Sequence, residues 1–147
     1  MQLTAFTDYA LRVLISVGTK GDDELSTIRE IATQYDISRN HLIKVVHHLG
    51  QHGYLSTTRG KGGGFRLAQP PGKIRLGDVI RCTEQRFDVV PCLSVDRRGD
   101  CAIEPVCVLK RALREATKAF LSVVDEYTLA DLLRPRHKLQ ALLAVGA

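Results

Sequence analysis

The chain has 147 residues, 44% of them hydrophobic, with no Trp and few aromatics, a length that suits one domain, or one domain with a helical appendage, around a mostly aliphatic core. No run reaches the roughly 18 apolar residues of a membrane span, and the only early apolar run, Val13 to Val17, has neither the length nor the cleavage site of a secretion leader. A cytoplasmic protein is therefore expected, and its four Cys speak against a disulfide scaffold and for metal or redox chemistry.

The net charge of +5 is modest, but its placement is one-sided. Between Ile37 and Gly77 there is no Asp or Glu, while Arg39, Lys44, Arg59, Lys61, Arg66, Lys73 and Arg75 all fall there. An ordinary solvated face mixes both signs, whereas a phosphate-binding surface does not.

In chain order, Thr4 is placed to cap a first helix with Phe6, Ala10, Leu11, Leu14, Ile15 and Val17 at helical spacing. Turn residues from Gly18 to Asp23 end it. Ser26 or Thr27 opens a second helix, with a capping box between Thr27 and Glu30 and Ile28, Ile31 and Ala32 on one face. After the turn Tyr35-Asp36-Ile37, Ser38 starts a third helix that turns Leu42, Val45, Val46 and Leu49 inward, and Gly50 and Gly53 terminate it. Two short helices joined by such a turn form a helix-turn-helix. Tyr54 to Thr58 then reads as a strand, Arg59 to Gly64 as a hairpin tip, Phe65 to Leu67 as the returning strand, and Pro70-Pro71-Gly72 as the close. This is a wing. Its glycines lack the spacing of a nucleotide phosphate loop, GxxxxGK[ST], and no long helix follows.

Gly77 to Cys82 predicts a short fourth helix. Arg86 to Glu104 reads as a loop long enough to be functional. Pro105 stands where a long helix would start. Along it Val106, Leu109, Leu113, Ala116, Phe120, Val123 and Tyr127 alternate spacings of three and four, a seam for another helix, expected to be a homodimer interface in preference to an internal packing face. Thr128 to Leu133 reads as a last short helix, and 134–147 as a loosely held tail. The expected fold is mainly α with a small β wing: a winged helix-turn-helix domain over 1–76, a cysteine loop and dimerisation helix over 77–133, and the tail.

Two constellations carry chemistry. The third helix is the recognition helix, whose first residues reach base edges in the major groove. These are Ser38, Arg39, Asn40, His41 and Lys44. Arg reads guanine and Asn reads adenine bidentately. Arg59 and Lys61 at the wing tip suit a narrow minor groove, with Gly62 and Gly63 allowing close backbone approach. The second constellation is Cys92, Cys101 and Cys107, separated by eight and five residues. Cys107 falls at the head of the long helix, where the helix dipole favours thiolate. The spacing matches neither common zinc modules nor ferredoxin runs, so a metal or cluster, a redox thiol switch and incidental cysteines all remain open on spacing alone. Cys82 reads as a small core residue. No convincing base lies near these thiols in sequence, and the chain is not read as an enzyme.

Leu3-Thr4-Ala5-Phe6-Thr7-Asp8-Tyr9-Ala10-Leu11-Arg12, Ile37 to Leu42 and Gly60 to Phe65 resemble the first helix, recognition helix and wing of a bacterial family of winged-helix iron–sulfur regulators that includes IscR and NsrR. Pro91-Cys92, Cys101-Ala102-Ile103-Glu104-Pro105-Val106-Cys107 and Tyr127 to Leu132 are similar to its nitric-oxide-sensing branch. All but about the last dozen residues are covered. The resemblance implies a homodimer crossed at the long helices and an iron–sulfur cluster on Cys92, Cys101 and Cys107, of the 4Fe–4S type with 2Fe–2S as the alternative. It also implies a fourth ligand from Asp8 of the other subunit; on its own, Asp8 reads as favouring the dipole of its helix. The wide first Cys gap and the lack of a His soon after Cys107 depart from the IscR pattern. The function implied is a cluster-dependent repressor that holds two-fold operator DNA and releases it on meeting nitric oxide. The alternatives are a sensor of iron–sulfur or redox status with the same fold, and a constitutive DNA-binding protein with a structural zinc or thiol site.

Overall fold

A computed structural model describes residues 2–21, 24–94, 96, 99 and 101–145. Residues 22 and 23 of the expected turn, 95, 97, 98 and 100 of the expected loop, and 146 and 147 of the expected tail lie outside the described residues.

Helix α1 spans Ala5–Thr19, and the Thr4 hydroxyl accepts the Thr7 N–H, as an N-cap does. Its inner face buries Ala10, Val13, Leu14 and Val17. Helix α2, Ile28–Tyr35, begins with the expected box: the Thr27 hydroxyl accepts the Glu30 N–H at 3.2 Å, and the Glu30 carboxylate accepts the Thr27 N–H at 2.8 Å. Helix α3, Arg39–Gln51, follows a turn through Asp36, and Leu42, Val45, Val46 and Leu49 are buried beneath it. Ser38 holds the N-cap place but makes no side-chain capping bond. Strands β1, Leu55–Thr58, and β2, Gly64–Leu67, pair antiparallel with Leu55 opposite Leu67 and Thr58 opposite Gly64. The wing is rooted in the helical body because Ser26 exchanges two backbone bonds with Phe65, both 2.9 Å.

Helix α4, Leu76–Thr83, packs on α1. Helix α5 covers Val108–Asp125, α6 Leu129–Leu132 and α7 Arg136–Val145. Ile74, Val79 and Leu129 are buried in the same core as α1 and α3, so that core extends past residue 76. Each fully buried Leu or Ile there contributes roughly 1.5–3 kcal/mol relative to exposure.

Three expectations change. The long helix starts at Val108, not at Pro105, which sits in a separate 3-10 turn over Glu104–Val106. Cys107 is extended between the two and serves as the N-cap, its sulfur accepting the Lys110 N–H at 3.3 Å. Proline favours the first turn of either helix type, so its position alone does not choose. Second, the seam splits. Leu113 and Phe120 are half-buried against their own chain, while Val106, Leu109, Ala116, Val123 and Tyr127 face outward. Third, the segment read as a loose tail is largely helical and docked. Arg136 and Gln140 donate to the Thr19 and Lys20 carbonyls, groups that the end of α1 leaves without partners.

Candidate nucleic-acid interface and metal centre

The inward stripe of α3 dictates what faces out. With Leu42, Val45 and Leu49 fully enclosed, Arg39, Asn40, Lys44 and His47 are exposed, as are Ser38 and His41. The His41 ring lies 5.9 Å from the Tyr9 ring of α1. Ile43, 53% exposed in the middle of this polar face, is an apolar surface of the kind that meets a thymine methyl. Ile43 and His47 were absent from the sequence-based set. Their signal was available, because both stand opposite the buried stripe on the helical wheel.

At the wing tip Arg59, Lys61 and Gly62 are exposed. Gly62 has φ +81°, and Gly63 closes the turn by donating to the Gly60 carbonyl at 2.9 Å. A Cβ on Gly63 would lie 2.3 Å from the Thr58 carbonyl oxygen, so only glycine fits. Arg66 on β2 adds a further exposed cation. Helix and wing together present positive charge over a stretch with no carboxylate between residues 37 and 77.

The cysteines are partly assembled. Cys101 and Cys107 line one concavity of about 770 Å³ at the head of α5, with Lys110, Arg111 and Arg114 around it. Between them, Glu104 is held by Lys110 at 2.5 Å and accepts the Gly99 N–H at 2.7 Å, which ties Gly99 and Glu104 to α5. Cys92 lies on a separate 3-10 turn, Pro91–Leu93, that packs on α5 but is not in the lining of this concavity. Among the described residues, no three His, Cys, Asp or Glu side chains come together at metal-binding distance. The donors fit a thiolate-bound anionic group in chemistry: two thiols, a helix N-terminus and three cations. The single chain does not close the full ligand set.

Cys82 stands apart from the other three cysteines; expected in the core, it lies outside the buried cluster. It is half-buried, its thiol donates to the Val79 carbonyl at 3.1 Å, and burial pushes that thiol up. Burial likewise pushes its neighbour Tyr54 up to about 12. Asp8 sits in the first turn of α1, half-exposed, and accepts from Arg12 at 2.8 Å. Arg12 also lies 5.4 Å over the Tyr35 ring. Arg12 engages Oδ2 of Asp8.

The sequence model of Rrf2, described as an iron-dependent transcriptional regulator, matches residues 3–135. The chain belongs to the Rrf2 family. Within it, the chain is 48% identical over 143 residues to the HTH-type transcriptional regulator NsrR of Bacillus subtilis, covering 97% of both chains. It is also 48% identical to the NsrR of Geobacillus kaustophilus over the same share. Among solved structures, the fold is similar to CymR, the global cysteine regulator of B. subtilis, with a TM-score of 0.70 and 26% identity over 90% of this chain and 95% of that one. IscR of T. potens, at 23% identity, shares the fold with a TM-score of 0.72 over 92% of this chain and 88% of that one. This Rrf2 member is thus a transcriptional regulator similar to NsrR, with the winged-helix fold, mainly α with a small wing. Among the described residues no helix is long and apolar enough to cross a membrane.

Proposed function

We propose that this Rrf2 member is a repressor that binds two-fold operator DNA as a homodimer in a cluster-loaded form and releases it after reaction with nitric oxide. The observation that carries the reading is the shared basic concavity of Cys101 and Cys107 at the head of α5. The outer face of that same helix leaves Leu109 and Val123 uncovered at 65% and 54% exposure, and Val106 in the turn just before it is 79% exposed. Exposed apolar side chains at helical spacing fit a second copy of the helix better than water.

Cys92, Cys101 and Cys107 would hold the cluster, 4Fe–4S in preference to 2Fe–2S, with Asp8 of the second copy as the fourth donor. When bound, the cluster supplies iron that reacts with nitric oxide, and a hard carboxylate among sulfur donors marks its weakest corner. The chain's own part is positional. Lys110 and Glu104 hold the loop of Cys101 against α5, and Cys107 caps that helix. Two α3 helices dock in successive major grooves about 34–36 Å apart, while Arg59 and Lys61 enter the narrow minor groove beside them and neutralise the phosphates that line it. No side chain is assigned a catalytic role, and the protein works in the cytoplasm.

Anaerobic purification tests the cofactor. A brown protein with acid-labile sulfide that binds DNA more tightly than its metal-free form is expected. A colourless protein holding one zinc, with the same DNA affinity before and after metal removal, would establish the constitutive alternative instead.

A further inference from the structure

Helix α5 has no fully buried residue. It packs on α4 and on the Pro91–Leu93 turn. Its union with α4 gathers at its C-terminal end. There Leu76 N–H donates to the Tyr127 carbonyl at 2.9 Å, and Leu129 N–H donates to the Ile74 carbonyl at 2.8 Å. Beside these bonds, Arg81 of α4 grips Asp125, the last residue of α5, with two parallel hydrogen bonds of 2.6 Å each. Gly77, one turn before Arg81, is buried against this pair: a Cβ there would lie 1.8 Å from Asp125 Oδ1 and 2.7 Å from Arg81 Nη1.

This ion pair is in the wrong place to be mainly a stabiliser. Its side chains are 39% and 36% exposed, where such pairs contribute little. The backbone bonds and the buried Ile74, Val79 and Leu129 already hold the junction together. A bidentate fork adds fixed direction. The Arg81 guanidinium also holds the Asp125 carboxyl below its ordinary range, so the pair stays ionised at neutral pH. At the opposite end of α5, 18 residues and about 27 Å away, is the cap Cys107.

We propose that the Arg81–Asp125 fork is the joint that converts a displacement of the Cys107 end of α5 into a reorientation of the winged-helix body, with Gly77 kept bare so that the fork can close. Arg81 and Asp125 are positioning residues: neither lines the concavity of Cys101 and Cys107, and neither lies on α3 or the wing. The proposal rests on the reading that loaded and metal-free protein differ in DNA affinity.

The test uses the full-length protein, reconstituted anaerobically with ferrous iron and sulfide or left metal-free. The probe is an inverted-repeat duplex selected from random DNA by the loaded wild type. The quantity read is the ratio of metal-free to loaded Kd, expected at about 5–150-fold for the wild type. Arg81→Ala, Asp125→Asn and Gly77→Ala should each bring it to within about twofold of unity, with cluster absorption unchanged. Thermal midpoints of the two fork variants should stay close to wild type. The charge-swapped double variant Arg81→Asp/Asp125→Arg should restore much of the ratio. Variants that keep the wild-type ratio would overturn the joint alone. A wild type with a ratio of one would overturn the cluster-gated reading and the joint with it.

Discussion

Lys61→Ala probes the DNA face through its salt dependence. Each protomer carries five exposed cations on this face: Arg39, Lys44, Arg59, Lys61 and Arg66. A dimer carries twice that number. If every one neutralises a phosphate, log K falls against log salt with a slope of about −9, so that affinity drops roughly 10⁵-fold between 50 and 200 mM salt. Removing Lys61 from both protomers removes two contacts and makes the slope shallower by about 1.8, which shrinks that drop about 12-fold. If Lys61 neutralises the phosphates lining the minor groove and touches no base edge, the loss at any one salt should be the same for the selected operator and for random duplex. Fluorescence anisotropy titrations over a salt series measure both quantities. An unchanged slope, or a loss confined to the operator, would refute the assignment of Lys61 to phosphate.

Two further outcomes concern the body that carries this face. Leu129, 2% exposed, anchors α6 in the core that α1 and α3 share, so Leu129→Ala should cost about 2–5 kcal/mol in urea denaturation of the metal-free protein; a cost below about 1 kcal/mol would mean α6 is only loosely attached. At Glu30, burial raises the carboxyl, but the Lys20 ammonium and the Thr27 N–H together hold it below its ordinary 4.5. A carboxylate with a depressed folded-state pKa stabilises fully above that ordinary value and loses its contribution as pH falls through the folded value. The thermal midpoint of Glu30→Gln should therefore converge on that of wild type between pH 5 and pH 3, and parallel curves would contradict the box as the origin.

The DNA-binding half was legible because each of its signals is local. The Thr27–Glu30 box, the stripe Leu42, Val45, Val46 and Leu49, and the glycine tip of the wing all specify structure within a few residues. The same wheel that buries Leu42 and Leu49 exposes Ile43 and His47. The second half depends on long-range contacts. Whether Pro105 opens a 3-10 turn or an α-helix depends on Cys107 and Lys110, and nothing in the proline itself decides it. The docking of α7 depends on orphan carbonyls at Thr19 and Lys20, more than a hundred residues away. Arg81 and Asp125 likewise have no spacing signature, being 44 residues apart. The cysteines were conspicuous in sequence, yet only Cys101 and Cys107 come to one concavity within a single chain.

The most direct measurement is an anaerobic titration of the brown, cluster-loaded protein with nitric oxide, following cluster absorption and operator binding in the same samples. The account predicts that operator affinity falls in step with the cluster bands and reaches the metal-free value when they are gone. Loss of the bands with no change in operator binding would contradict it.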